Sequence, residues 1–355
     1  MTTLRLFFLL LLVCARSAAA DYSAVQQGDA LLKDFRFASG QSLAQLRIHY
    51  RTVGTPQRDA KGQIRNAVLI THGTGGTGAQ FLRPEFAGEL FAPGGALDAA
   101  RYFIILTDGI GHGQSSKPSD GLHARFPNYG YQDMVDAQYR LLREVLDVQH
   151  LRLVMGTSMG GMQTWVWGER YPQFMDALMP LASLPTQIAG RNRVWRRAII
   201  DAIRNDPEWK GGEYSVQPQS LRLGEQLLYF MGSNPILRQS QTPSLAATDL
   251  ALDAYVAAGV KSADATDLVY QLEASRDYDP GPELEKIAAP LVAVNSADDL
   301  INPPELGILE REIKRVRNAS AVVLPLSPDT RGHGSHTIAA LWKTHLKQLL
   351  EVSAK

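Results

Sequence analysis

The chain has 355 residues, of which 45% are hydrophobic and 20% are charged, a composition that allows a substantial buried core. Lysine plus arginine and aspartate plus glutamate number 36 each, and no long block of one charge occurs. Because a basic patch is the usual mark of a nucleic-acid-binding surface, we expect no nucleic-acid partner.

The first twenty residues have the pattern of a signal peptide. Arg5 supplies a positive charge, residues 6–14 are apolar, and residues 18–20 are alanines that precede Asp21, as at a cleavage site. The apolar stretch is too short to span a bilayer comfortably, so an uncleaved membrane anchor is the less favoured alternative. Cys14 is the only cysteine of the chain. We therefore expect a periplasmic or secreted protein, cleaved after residue 20, with no disulfide and no stable membrane anchor.

Predicted strands alternate with predicted helices along most of the chain. Short apolar runs predict strands at residues 43–50, 67–71, 102–106, 151–155, 177–184, 290–294 and 321–324. Helical spacing of apolar residues predicts helices at residues 133–146, 161–171 and about 337–352. This alternation is typical of a mostly parallel, doubly wound sheet that helices cover on both faces.

Residues 185–280 differ from the rest because they contain no convincing buried strand. Helices are predicted there at residues 194–203, 220–230 and 245–259. The simplest interpretation is a helical insertion that lies over the sheet as a lid. Residues 21–184 and 281–355 then form one α/β core.

The strongest chemical signal is a serine between two glycines. Gly156-x-Ser158-x-Gly160 follows a predicted buried strand and precedes a predicted helix, a context typical of a nucleophile elbow. The serine of such an elbow sits on a strained turn whose neighbours must be small, although small residues also serve packing alone. The next backbone N–H, that of Met159, is expected at a helix N-terminus, where it can donate to an oxyanion.

A serine nucleophile needs a base, and the base needs an acid that orients it. After an elbow of this kind, the acid and then the histidine follow in chain order. His333, in the loop after the last predicted strand, is the predicted base, and His336 is expected to support it or to lie at the surface. Asp298 and Asp299 both follow the preceding strand. We prefer Asp298 as the acid, because Asp299 is better suited to cap the helix that follows.

A second oxyanion donor is expected from the glycine-rich loop at residues 71–78, and we select the backbone N–H of Thr74. A phosphate-binding loop is the alternative, but no Gly-Lys-Ser/Thr ends this segment. His72 is expected to shape the loop. Residues 108–115 contain Gly-x-Gly without the third glycine of a dinucleotide site, and we interpret them as a structural turn. The histidines lack the spacing of metal ligands, so we expect no metal and no organic cofactor.

These motifs resemble those of α/β-hydrolase-fold proteins of the homoserine O-acetyltransferase type. The resemblance covers most of residues 40–350 and is most specific at residues 156–163, with further matches at residues 126–138 and 206–214. It implies the α/β-hydrolase fold with a helical lid. It also favours Asp298 over Asp299 and His333 over His336.

The resemblance has implications for substrate and assembly as well. Arg222, seven residues before Tyr229, stands where the transferases have the arginine that holds the amino-acid carboxylate. This pair is the predicted substrate-binding site, and a helix-surface arginine is the alternative for Arg222. Because the family commonly pairs through its helical insertion, a homodimer is expected.

Three departures from the transferase pattern favour a hydrolase. Residues 108–115 replace the usual Gly-Gly-Cys stretch, the oxyanion loop is richer in glycine, and an exported protein would not meet acetyl-CoA. We predict a serine hydrolase that cleaves a small-molecule acyl ester through an acyl-enzyme on Ser158. An O-acyltransferase using the same triad is the main alternative, and a binding protein that has lost activity is the third hypothesis.

Overall fold

The computed structural model of the chain describes residues 25–354. The predicted signal peptide, residues 1–20, lies outside this range. No helix within the described range is long and apolar enough to cross a membrane.

An eight-stranded sheet forms the centre of the molecule. Its strands are β1 (Gln26–Arg36), β2 (Ser42–Val53), β3 (Ala67–Thr71), β4 (Phe103–Thr107), β5 (Leu153–Thr157), β6 (Leu178–Leu181), β7 (Leu291–Ser296) and β8 (Ala319–Leu324). Across the sheet they follow the order β1-β2-β4-β3-β5-β6-β7-β8, with β1 and β2 antiparallel to their neighbours and the rest parallel. The predicted fold class, a mostly parallel α/β sheet, is confirmed.

Strand β1 is absent from the sequence-based prediction. It pairs with β2 over most of its length. Its alternation of buried and exposed residues is interrupted at Asp34, which has a positive φ of 49°. Lys33 and Phe35 on either side have paired residues in β2, but Asp34 has none. The register with β2 is the same on both sides of Asp34, yet the buried positions change phase there, so Leu32 and Phe35 are both buried. The resulting pattern departs from the period of two by which strands are identified.

Nine helices accompany these strands in the described part of the chain. They are α1 (Tyr131–Arg140), α2 (Met159–Arg170), α3 (Gly190–Arg204), α4 (Ser220–Met231), α5 (Pro235–Gln241), α6 (Leu245–Ser262), α7 (Ala265–Glu273), α8 (Ile308–Glu312) and α9 (Lys343–Val352). A π-helical turn, Leu141–Val145, continues α1, and two 3₁₀ turns precede α9 where one continuous helix was predicted.

The apolar core has three parts. One cluster includes Trp165 and Trp167 of α2, and a second includes Trp342, close to α9. The third belongs to α3–α7, which leave the sheet after β6 and return before β7, and it includes Ile199 and Leu268. The helical insertion therefore has its own apolar centre while it covers one edge of the sheet.

Candidate active site

Ser158 occupies the turn between β5 and α2. Its backbone has φ 55° and ψ −112°, a strained conformation for any residue with a side chain. A Cβ atom on Gly156 would lie 2.2 Å from the carbonyl oxygen of Gly160, and one on Gly160 would lie 2.0 Å from that of Thr71. Both glycines are thus required by the close approach of α2 to β3 and β5. Ser158 itself borders a large cleft.

His333 joins Ser158 to a buried carboxylate. Its Nε2 lies 2.8 Å from Oγ of Ser158, and its Nδ1 lies 2.8 Å from Oδ2 of Asp299. The side chains of His333 and Asp299 are held in the interior, where the residues are 8% and 1% exposed. The structure therefore brings the predicted Ser158 and His333 together, in the geometry of a nucleophile and a base.

The prediction that Asp298 orients the histidine is wrong. Its carboxylate accepts hydrogen bonds from Nδ2 of Asn234 at 2.6 Å, from the backbone N–H of Gly332 at 2.9 Å, and from the hydroxyl of Ser296. Asp298 therefore joins the insertion to the loop that carries His333. It does not contact the imidazole.

Asp299 performs two roles with its two oxygens. Oδ1 accepts the backbone N–H groups of Ile301 at 2.8 Å and Asn302 at 3.1 Å, while Oδ2 faces His333. The capping role that the sequence suggested for Asp299 is wrong, because the N-cap of the helical turn that follows is Pro303 and these two N–H groups belong to the turn before it. Burial by itself would raise the pKa of Asp299, but the charge and hydrogen bond of His333 and the two N–H donors keep that pKa below its ordinary value. The carboxylate is therefore ionised at neutral pH.

The loop after β3 passes directly beside the serine. A Cβ atom on Gly73 would lie 3.3 Å from Cβ of Ser158, and Thr74 borders the same cleft. Met159 is the first residue of α2, and the N–H groups of a first helical turn have no partner within their own helix. The two backbone groups predicted as oxyanion donors thus belong to the segments that flank Ser158.

His72 and Asp108 hold the loops around the serine. Nδ1 of His72 donates to the carbonyl oxygen of Gly73 at 2.8 Å, and Nε2 accepts the N–H of Gly109 at 2.9 Å. Burial lowers the pKa of His72, which keeps the ring neutral for these two bonds. Asp108 pairs with Arg51 at 2.8 Å inside the protein, and it accepts the backbone N–H groups of Gly78 at 2.8 Å and Gln114 at 3.0 Å. Residues 108–115 are therefore a structural turn.

Arg222 and Tyr229 do not lie where the resemblance implied. Arg222 is exposed on α4. The ring of Tyr229 packs 5.0 Å from that of Tyr255 and lies 3.7 Å below the guanidinium of Arg238. Neither Arg222 nor Tyr229 borders the cleft that contains Ser158. Their predicted contact with substrate is therefore corrected.

The cleft encloses about 830 Å³ between the loops of the core and the insertion. Its wall includes several residues that sequence reasoning missed: Trp195, Arg196, Leu228, Met231 and Gln271. No motif marks them, because they come from α3, α4 and α7 and meet only in the folded chain. Residues 25–354 contain no cluster of three or more histidine, cysteine, aspartate or glutamate side chains that could hold a metal ion.

Comparison with known proteins places this geometry in a family. A sequence profile described as alpha/beta hydrolase fold matches residues 66–313. A probable acyltransferase of Methanothermobacter thermautotrophicus is 32% identical over 280 residues, which cover 78% of this chain and 83% of that protein. Homoserine O-acetyltransferases of Thermobifida fusca and Moorella thermoacetica are 34% and 37% identical over 195 residues. These matches cover 51% and 50% of this chain, and the chain spans 50% of the length of each of these enzymes.

Three solved structures share the fold over nearly the whole chain. Esterase E22 superposes with a TM-score of 0.80 at 19% identity, covering 92% of this chain and 100% of its own. An acetylester hydrolase of Corynebacterium glutamicum gives 0.80 at 23% identity, with coverage of 94% and 99%. A homoserine O-acetyltransferase of Bacillus anthracis gives 0.80 at 22% identity, with coverage of 92% and 97%. Since the sheet, the serine turn and the sequence profile agree, this chain belongs to the α/β-hydrolase fold family.

Proposed function

We propose that this chain is a serine esterase. The observation that carries the proposal is the pair of 2.8 Å contacts that link His333 to Ser158 on one side and to Asp299 on the other. An imidazole held in this way has one nitrogen free to accept the serine proton while the other is fixed by an ionised carboxylate.

The proposed reaction has two halves. Oγ of Ser158 attacks the acyl carbon while His333 takes its proton, and the N–H groups of Thr74 and Met159 stabilise the oxyanion. His333 then gives the proton to the departing alcohol, which leaves the acyl group on Ser158. Water attacks this acyl-enzyme with His333 again as base, and the carboxylic acid departs. Asp299 stabilises the imidazolium in both halves.

Acyl transfer is the second candidate, and the named relatives favour it. The probable acyltransferase and the homoserine O-acetyltransferases are between 32% and 37% identical to this chain. In that reaction, a bound alcohol replaces water as the acceptor of the acyl group. The glycine-rich loop at residues 71–78 and the predicted export signal favour water as the acceptor.

We also propose that the protein is exported. The positive charge, apolar stretch and alanine cleavage site at residues 1–20 support this. Expression of the full chain, followed by cell fractionation and N-terminal sequencing, tests it. A mature N-terminus at residue 21 outside the cytoplasm is expected, and an intact chain in the cytoplasm would contradict export.

The catalytic proposal is tested by acyl partitioning. The protein is given p-nitrophenyl acetate with and without homoserine, and Ser158→Ala is the control. We expect nitrophenolate and free acetate, no effect of homoserine, and a loss of turnover of about 10⁴- to 10⁶-fold in the variant. Formation of O-acetylhomoserine would favour the transferase. Equal activity of the variant would exclude Ser158 as the nucleophile.

A further inference from the structure

Arg196 is a buried arginine in the wall of the cleft that contains Ser158. It lies on α3 and is 2% exposed. Nε donates to Oδ1 of Asn192 at 2.9 Å, and the guanidinium lies 4.7 Å from the ring centroid of Trp195. Nη1 is buried and has no hydrogen-bond partner. Among ionisable groups, the hydroxyl of Tyr131 interacts favourably with the guanidinium and Arg193 opposes its charge, but neither supplies an ionised carboxylate.

The other cations of α3 show how unusual this is. Arg193 and Arg204 both form ion pairs with Glu273, and Arg197 pairs with Asp201. These three arginines have counter-charges. Arg191 is exposed and donates to the carbonyl oxygen of Leu300, and Arg196, the most buried of the five arginines of α3, has no counter-charge. A buried charge without a counter-charge destabilises the fold, and a guanidinium does not avoid this by losing its proton. A site of this kind is completed when a ligand supplies the missing anion.

Four acidic residues border the cleft, of which Glu85 is exposed and the other three are Asp267, Asp264 and Glu225. Asp267 accepts the backbone N–H and the hydroxyl of Ser119 at 2.9 and 2.6 Å. Asp264 caps α7 by accepting the N–H groups of Thr266 and Asp267. Burial raises the pKa of Glu225, which favours its neutral form. No ion pair joins any of these side chains to Arg196, which borders the same cleft.

We propose that Arg196 binds a carboxylate of the substrate, so that the preferred substrate is an ester that carries a second, ionised carboxyl group. This inference rests on the proposed function and names its substrate class. A guanidinium is suited to the role because its N–H groups match the two oxygens of a carboxylate. The assignment differs from the one that the resemblance implied, since Arg222 is exposed and Arg196 is not.

Matched ester pairs test the proposal. The pair 4-acetoxybutanoate and butyl acetate differs by one carboxylate on the alcohol. The pair monophenyl glutarate and phenyl pentanoate differs by one on the acyl group. We expect the wild type to prefer the anionic member of one pair by tenfold or more in kcat/KM. The pair that shows this preference identifies whether the alcohol or the acyl group of the ester contacts Arg196.

The variant Arg196→Met is expected to lose about 10- to 100-fold in kcat/KM for the preferred anionic ester, chiefly through KM, since hydrogen bonds to charged groups contribute about 1.5–3 kcal/mol. Its loss on the neutral partner should be at least several-fold smaller, so that the ratio of the two kcat/KM values falls. Arg197→Met, which removes the exposed neighbour paired with Asp201, is the matched control and should leave the preference intact.

Two results would overturn the proposal: a wild type without preference for either anionic ester, or an Arg196→Met variant that loses both members of a pair equally. If that variant does not fold, Arg196→Lys replaces it: this variant keeps the charge but loses the planar fork of N–H groups, and it should lose part of the preference. Calorimetry with Ser158→Ala and the preferred anionic ester separates this inference from the proposed function. Binding that Arg196→Met abolishes in this background supports the site even if hydrolysis is absent.

Discussion

Asp298 and Asp299 are adjacent in the sequence but have different roles in the structure. Asp298 and Asp299 follow the same strand, and the difference between their roles is set by the turn after β7, in which the N–H of Asp299 donates to the carbonyl oxygen of Ser296 at 3.2 Å. That turn directs Asp299 inward and leaves Asp298 half-buried. The sequence identified the strand, the loop and His333, because chain order and motif context determine them. A pattern of residue types does not determine which of two neighbouring side chains points at a ring.

The two carboxylates can be separated by amide substitutions. In Asp299→Asn the histidine loses its ionised partner and its correct tautomer, so we expect kcat to fall by about 10⁴-fold. Asp298→Asn is the matched comparison. It keeps an oxygen near Gly332 and Asn234, and its kcat should fall by less than about tenfold. Initial rates on p-nitrophenyl acetate check both, and a larger loss in Asp298→Asn would contradict the assignment.

A second carboxyl group, outside the site, makes a prediction about pH. Burial, with Glu283 nearby, raises the pKa of Glu169 on α2 to about 8 from 4.5, and its Oε1 is buried without a partner. Between these values the folded protein keeps a proton that the unfolded chain has lost. The free energy of unfolding should therefore fall as the pH rises through this window.

Glu169→Gln removes this titration. From pH 5 to pH 8, the variant should lose less stability than the wild type, by on the order of 2 kcal/mol. Urea unfolding at both values measures the difference, and the exposed Glu310→Gln serves as the control. Parallel pH profiles for wild type and Glu169→Gln would show that the carboxyl group titrates normally.

At the level of elements, the fully buried central strands were predicted most accurately. Strands β3, β4 and β5 are buried at every position, and the apolar runs that predicted them differ from their bounds by at most two residues. The helices α5 and α7 were missed. Residues 235–241 include no buried residue, whereas most of α7 is buried; α7 follows α6 after only two residues, so its short apolar pattern was not separated from that of its neighbour. Elements that pack weakly, or that depend on neighbours distant in sequence, leave a weaker pattern.

The close packing of the start of α2 against β3 predicts that position 160 requires glycine. Gly160→Ala would place a methyl group 2.0 Å from the carbonyl oxygen of Thr71, so either α2 or β3 would have to move. We expect a loss of stability of about 3 kcal/mol or more, together with a loss of activity from the displaced Ser158. Thermal unfolding measures the first effect and ester hydrolysis the second.

Gly281→Ala is the control for that substitution, because its nearest neighbour would be a flexible carboxylate oxygen of Asp279 at 3.3 Å. It should change stability by less than about 1 kcal/mol. Similar losses in the two variants would mean that helix α2 is not closely packed on β3.

At the scale of the whole molecule, the insertion leaves large apolar side chains uncovered. Phe230, Ile236, Leu245 and Leu250 are each more than 60% exposed, and they lie on α4, α5 and α6. Uncovered apolar surface of this kind favours association. The homodimer implied by the resemblance stays a prediction, and these side chains indicate where two copies would meet.

Light scattering at micromolar concentration tests this association. We expect the mass of a dimer for the wild type and of a monomer for Leu250→Asp, because a buried aspartate would oppose contact. Val352→Asp changes an equally exposed residue on α9 and should leave the dimer intact. A monomeric wild type would contradict the prediction.

The reacting residues and the opposite wall of the cleft come from different parts of the chain. The reacting residues lie on loops that connect the strands of the sheet: Ser158, Asp299 and His333. Arg196 and much of the opposite wall of the cleft lie on α3–α7. These helices form one continuous stretch that leaves the sheet after β6 and returns at the adjacent strand β7. Mutations that reshape the wall can therefore accumulate without touching the reacting groups. The scaffold is modular in this sense: an exchange of residues 185–280 between homologues should transplant substrate preference while the chemistry at the serine is inherited unchanged.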